Sequence, residues 1–548
     1  MYIFYIVVIL LILVLYIRYS RIKKREKLIN NYINNWGKAK EGEYYNFNII
    51  EQYFKNSKNK DNAFHTVSDQ VKNDLDIDDL FKYLDRTSSK IGQQYLYYKI
   101  RVIEDKDKLL NFEKLTHIFE TDQKLRLECQ LELSKLNSNY AYDLEKLIHD
   151  EVIEKPVYQK FLIPLSILAV LAVILGVINP VFFLLLLPVF MVNIVFHYKT
   201  KMYINYYLNA VNQLSRALKV SEKFSVYPEI RALFPDLNFI RHIQDIRLKT
   251  SFISFEKQLS NEFVAIIWSV IELLKIQFNI EAILFYSFIG DIVAKRQSID
   301  DLFRFVGEVD CAISVASVKH QNEHVCKPCF TNENEINISG ITHPLIEDCV
   351  PNSICLNAKS LLLTGSNMSG KTTFIRMVAV NSIVAQALNI AFAKAFSIPF
   401  YKVYSSIRIT DDLLGSTSYY LKEVLTIKEL IEVSKGDNPC LFVLDEIFKG
   451  TNTIERISGG KAILSYLNRA NNFVFVSTHD IELTELLEDD GFELYHFSEQ
   501  IVEDELFFDH KLKEGKLKTR NAIKILELYD YPKDIIDDSR QTIKANFD

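Results

Sequence analysis

Gly365-Ser366-Asn367-Met368-Ser369-Gly370-Lys371-Thr372 follows the apolar run Leu361-Leu362-Leu363-Thr364 and precedes a stretch of helical character. The two glycines let the backbone curl around a phosphate, and a helix starting at that point favours negative charge at its amino end. In such a loop Lys371 can reach the β and γ phosphates, while the Thr372 hydroxyl can ligate magnesium. The expected cofactors are ATP and Mg2+. The expected nucleotide contacts are Gly365, Asn367, Met368, Ser369, Gly370, Lys371, Thr372 and Thr373.

A second constellation lies some seventy residues further on, where Leu441-Phe442-Val443-Leu444 runs into Asp445-Glu446. Four apolar residues before two acids describe a buried strand that ends in carboxylates, not a solvated turn. Asp445 is expected to hold the magnesium through water, with Glu446 polarising the water that attacks the γ phosphate. A third strand, Phe473–Ser477, ends in Thr478-His479-Asp480, which puts His479 at the carboxyl edge of a sheet, where ligands sit. His479 is therefore a candidate γ-phosphate sensor.

These motifs need a scaffold. After residue 330 short β-rich runs (Ser360–Thr364, Leu441–Leu444, Phe473–Ser477) alternate with helical stretches, the texture of a parallel α/β sheet. Residues 493 to 513 alternate as short strands, and helices are expected near Ala522–Leu528 and Lys533–Lys544. Upstream, residues 61–160 and 198–330 are charged, Leu-rich and spaced as helices, so an all-α region precedes the α/β domain at 331–548.

The whole chain has 548 residues, long enough for three or four structural units. Its 49% hydrophobic and 24% charged composition excludes a disordered tail, and a net charge of −6 gives no global footprint for nucleic acid. Seven cysteines, an odd number scattered from Cys129 to Cys440, read as reduced thiols.

Tyr2–Ile17 carries no charge and is followed by Arg18, Arg21, Lys23, Lys24, Arg25 and Lys27, the order of an uncleaved anchor (1–18, then a basic linker at 19–60). Residues 161–197 form a second apolar block, broken at Asn179-Pro180, that reads as a transmembrane hairpin. Lys155, Lys160, Lys199 and Lys201 flank it, so the positive-inside rule puts both its ends in the cytoplasm. Three crossings are expected, giving a multi-pass protein of the cell membrane with its α/β domain in the cytoplasm and its amino terminus outside. The later run from Phe263 to Ile289 imitates a span, but Glu272, Lys275 and Glu281 interrupt it and favour packed helices.

The quoted motifs, with Gly340-Ile-Thr-His343-Pro344 before them, resemble the phosphate-loop ATPase domain of the MutS mismatch-repair family over residues 335–540. More weakly, Gly307 to Ala316 resembles the end of that family's lever helices, and Leu84-Asp85-Arg86-Thr87 to Gly92 the start of its core domain. The resemblance implies a homodimer, DNA as a partner, and a segment from Asp411 to Tyr420 that completes the ATP site of the other protomer. Ser418 best matches the serine of that segment, with Tyr419 in place of a threonine and Glu423 at the spacing of the family's glutamate. Ser366, Ser369 and Phe448-Lys449 also depart from the pattern, and residues 1–60 leave no room for a mismatch-reading domain.

Two other features invite different chemistry. Ile457-Ser458-Gly459-Gly460-Lys461 imitates the signature of transporter ATPases, but it comes after the acidic strand where that signature would precede it, and a helix start explains it. His320, His324, Cys326 and Cys329 are a compact candidate zinc cluster, against which a plain connector is the favoured reading. Two functions fit the sequence: a membrane-anchored, dimeric ATPase acting on mismatched or branched DNA, or an ATP-driven membrane scaffold acting on a protein partner without DNA.

Overall fold

The computed structural model describes residues 2–149, 156–244, 271–366, 368–408, 419–448, 450–502, 505–517 and 522–546. Contacts divide the chain into two units: residues 1–58, 84–98 and 111–321 form the first, and residues 59–83, 99–110 and 322–548 the second.

The first unit is helical. Helix α1 (Tyr2–Asn34) carries the apolar run and the basic cluster in one continuous element. Helices α2 (Gln159–Ile178) and α3 (Leu186–Phe224) form the hairpin, turning at Asn179, whose side chain accepts from Val181 N–H. Two segments among the described residues, Gln159–Ile178 and Pro180–Met202, are long and apolar enough to cross a membrane. Ile163, Ile167, Ile174 and Val177 are exposed on the hairpin, as an outward apolar face requires. The sixteen apolar residues of α1 rise about 24 Å, less than the ~30 Å of a hydrocarbon core. The side chains at 2, 3, 6–10, 13 and 14 lie outside the described residues.

Part of the interrupted apolar run, residues 263–270, also lies outside them. Its remainder is a helix pair, Ile271–Gln277 and α4 (Ile280–Ala294), bent by 67°. Asn279 makes the bend at φ +50, and the carbonyls it exposes are claimed by the hairpin. Asn193 Nδ2 donates to Gln277 O at 2.8 Å, and Ser166 Oγ to Phe278 O at 2.7 Å. Backbone groups broken out of a helix in an apolar setting need such partners. One turn away, His197 lies 3.3 Å from Glu272 and 3.8 Å from Glu281, and Lys201 stands 3.0 Å from Glu272. The ligand atoms of His197, Glu272 and Glu281 are close enough together to hold a metal. Lys201 and Lys275, however, both pair with Glu272, and His197 lies against Glu281, so the group is an ion-pair cluster.

Helix α5 (Arg296–Gln321) closes the first unit by joining two of the motifs read in the sequence. Asp310 accepts from the N–H groups of Ser88 (2.7 Å) and Ser89 (2.8 Å), and Ser314 Oγ donates to Leu84 O at 2.8 Å. A Cβ at Gly92 would stand 2.1 Å from Asp310 Oδ2, so only glycine permits this approach. Burial pushes the Asp310 carboxyl up to about 6 against the pull of those donors.

The second unit is built on a six-stranded sheet. Its strands are β1 (Ser360–Thr364), β2 (Lys402–Ser406), β3 (Cys440–Asp445), β4 (Phe473–Ser477), β5 (Phe492–His496) and, after the antiparallel hairpin β6 (Glu499–Val502) and β7 (Glu505–Phe508), β8 (Lys513–Glu514). The spatial order is β2-β3-β4-β1-β5-β8, parallel except for β8. Strands β1 and β4 are buried at every residue, as expected of central parallel strands covered on both faces. Helices α6 (Lys371–Leu388), α7 (Tyr419–Val433) and α8 (Thr453–Leu467) supply the crossovers. A smaller sheet pairs Glu335–Ile341 with Asn352–Asn357 and Ala395–Pro399.

Residues 59–83 belong to this unit although their texture is that of the helical region. Asp74, fully buried, accepts from Ser405 Oγ (2.7 Å) and Arg408 N–H (2.9 Å) at the exit of β2. His65 hydrogen-bonds Val403 O at 2.9 Å, and burial pushes its imidazole down to about 4.

Candidate functional site

Adjacent strands bring the three motifs to one edge. Asp445 at the end of β3 pairs with Ser477 at the end of β4, which in turn pairs with Leu363 near the end of β1. The Gly365–Thr372 loop, Asp445-Glu446 and His479 therefore emerge side by side at the carboxyl end of the sheet, where open α/β folds bind their ligands.

Asp445 is held on both oxygens. Thr372 Oγ1 donates to Oδ2 at 3.0 Å, and the Ser477 hydroxyl donates to Oδ1. A hydroxyl and a carboxylate side by side are hard oxygen donors, the set that suits Mg2+ beside phosphate oxygens. Lys371, 4% exposed, folds back along its own loop and donates to Gly365 O (2.8 Å) and Ser366 O (2.9 Å). Its Nζ lies 3.4 Å from His479 Nε2, which in turn lies 3.3 Å from Glu446 Oε1. Lysine, imidazole and carboxylate thus form one continuous polar row.

Glu446 adopts φ +52 and Phe448 φ +61, a left-handed turn that costs a non-glycine residue about 1–2 kcal/mol. Two bonds hold it. Glu446 N–H donates to Ser477 O at 2.9 Å, and Phe448 N–H donates to the Glu423 carboxylate, which is 2% exposed on α7. The turn aims Glu446 out of the strand direction and towards His479. Arg456 makes a two-pronged pair with Asp480 (2.8 and 2.6 Å), fixing the turn after β4.

Beside the loop lies a cavity of about 380 Å³, lined by Ile346, Cys349, Thr373, Met377, Phe497 and His510 among others. Met368 stands at its rim, exposed and at φ +71. His510 Nδ1 hydrogen-bonds Ser369 O at 3.0 Å. Nearby, burial and then the Arg376 guanidinium push the His343 imidazole down to about 4, so it is neutral at ordinary pH.

Of the residues picked from the sequence, Gly365, Met368, Ser369, Gly370, Lys371, Thr372, Thr373, Asp445, Glu446 and His479 come together around this edge. Asn367, Lys449 and the segment 409–418, Ser418 included, lie outside the described residues. Glu423, Phe497 and His510 are additions: only Glu423 had a sequence signal, its spacing from the serine segment. Gly459, Gly460 and Lys461 sit inside α8, which Asn452 caps by accepting from Glu455 N–H, so the transporter-like signature is part of a helix. Cys326 pairs across to Ala391, whereas Cys329 lies on the smaller sheet. Neither falls in a group with metal-binding geometry among the described residues.

Residues 361–546, the segment that carries this edge, match the family model of MutS domain V. Over that segment the chain is similar to MutS domain V. Similar curated proteins include the DNA mismatch repair protein MutS of Natronomonas pharaonis, 29% identical over 256 residues. The proteins of that name from Listeria monocytogenes serotype 4b and Staphylococcus epidermidis are 30% and 29% identical over 255 residues. Each alignment covers 44–45% of this chain and 29% of the relative, so the chain spans under a third of the length of the MutS proteins it matches.

Proposed function

We propose that this chain is a MutS-type dimeric ATPase, held in a membrane by its apolar hairpin, that acts on mismatched or branched DNA. The observation that carries the ATPase reading is the convergence of Lys371, Thr372, Asp445, Glu446 and His479 at one sheet edge. In this reading the loop amides surround the phosphates, and Lys371 leaves its two carbonyl partners for the β and γ oxygens. Thr372 and Asp445 hold the magnesium ion, which when bound neutralises developing phosphate charge. Glu446 orients and polarises the attacking water. His479, between Lys371 and Glu446, senses whether the γ phosphate is present. The adjoining cavity, with Phe497 and His510 on its wall, has the size and apolar surface to take the adenine.

DNA enters through the relatives' names, which are those of mismatch-repair proteins. The test is a titration of the detergent-solubilised protein with homoduplex, mismatched and branched DNA at rising salt. Binding is expected to weaken tenfold or more between about 50 and 200 mM salt, because phosphate contacts release counterions. No binding even at low salt would favour the scaffold that works on a protein partner.

The membrane reading places Lys199 in the cytoplasm and the Asn179-Pro180 turn outside. An impermeant thiol reagent applied to intact cells is expected to label a cysteine placed at position 179 and to spare one placed at 27. Labelling at 27 alone would reverse the orientation.

A further inference from the structure

Ser366 departs from the family's loop pattern, and the structure gives that departure a partner. Its hydroxyl donates to Glu499 Oε2 at 2.6 Å. Glu499 is 7% exposed and opens β6, far along the chain from the loop it touches. The same stretch grips the loop at two further points. A Cβ on Gly365 would stand 2.7 Å from Phe497 O, and His510 holds Ser369 O. The His510 end is itself anchored, since Asn352 donates to His510 O (3.0 Å) and accepts from Leu512 N–H (2.8 Å).

Lys371 locates Ser366 relative to a bound nucleotide. Its ammonium, the group that reaches the β and γ phosphates in such loops, lies 2.9 Å from Ser366 O. Ser366 is therefore at the terminal-phosphate end, with a carboxylate one hydroxyl behind it. An acidic group there has two separable effects. As an acceptor it fixes the first turn of the loop, and as a charge it opposes the terminal phosphate.

We propose that Glu499 is a positioning residue acting through Ser366, and that its charge makes the site discriminate against the nucleoside triphosphate relative to the diphosphate. The proposal rests on the nucleotide reading above. It assigns Glu499 no contact with the nucleotide.

The test uses the full-length protein with Mg2+, measuring dissociation constants for ADP and for a non-hydrolysable ATP analogue. Glu499→Gln keeps an oxygen for the Ser366 hydroxyl and removes the charge. It is expected to tighten analogue binding about fivefold and ADP binding about twofold or less, the scale of one charge acting across several ångströms near a protein surface. Ser366→Ala leaves the carboxylate without its donor and is expected to weaken analogue binding. Adding Glu499→Gln to it should restore most of that loss, because the two act as one unit. An unchanged analogue-to-ADP ratio in Glu499→Gln would overturn the proposal, as would losses from Ser366→Ala that Glu499→Gln does not relieve. Those results would leave the nucleotide reading standing. A wild-type protein that binds neither nucleotide would overturn both.

Discussion

Glu446→Gln is expected to bind ATP as tightly as the unaltered chain and to hydrolyse it about 10²–10⁴ times more slowly, the usual contribution of a general base. The glutamine preserves shape and can still accept a hydrogen bond, but it cannot take a proton from water. Lys371→Ala should behave differently. Lys371 is 4% exposed, and its ammonium donates to Gly365 O and Ser366 O; in the proposed reading it moves onto the phosphate oxygens in the ground state. Removing a charge-assisted bond costs about 1.5–3 kcal/mol, so ATP affinity should fall roughly 10- to 100-fold. Binding and single-turnover measurements on the two variants separate the roles. A Glu446→Gln protein that turns over at the normal rate would remove Glu446 from the mechanism.

The second large effect follows if, as the resemblance implies, the ATP site is shared between two protomers. Neither the Lys371→Ala nor the Ser418→Ala homodimer should have more than residual activity, since each lacks one half of both sites. Co-expressed, the two variants form mixed dimers in which the unaltered loop of one chain meets the unaltered Ser418 of the other. With random pairing half the dimers are mixed and each has one working site, so activity should recover to roughly a quarter of the wild-type value. A serine that acts within its own chain would give no recovery, and neither would a monomer.

The sheet that carries these residues was largely legible in the sequence. Ser360–Thr364 and Phe473–Ser477 appear with the expected boundaries, and the acidic strand needs only Cys440 and Asp445 added. Short apolar runs between turn residues suffice for that, because central parallel strands are buried on both faces and bear little else. The loop was legible for a related reason: its chemistry needs glycine, lysine and hydroxyl at fixed spacing. What escaped is tertiary. Glu499 lies 133 residues from Ser366, and Glu423 caps a turn 25 residues away, with no local pattern to announce either pairing. The placement of residues 59–83 in the second unit escaped for the same reason. A helical texture reports the face of a helix but not which unit it packs with, and here Asp74 decides it through bonds to Ser405 and Arg408. The bend at Asn279 was hidden too, since asparagine tolerates the left-handed turn but does not require it.

Thr372 and Asp445 are expected to present a magnesium-bound nucleotide to Lys371 and Glu446. Titration of the full-length protein with ATP, with and without Mg2+, tests it most directly when repeated on Asp445→Asn. The wild type is expected to show saturable ATP binding that magnesium tightens, and the variant, whose amide bears no charge for the ion, to lose most of that magnesium dependence. ATP binding with the same magnesium dependence in both proteins, or no ATP binding by the wild type at all, would contradict it.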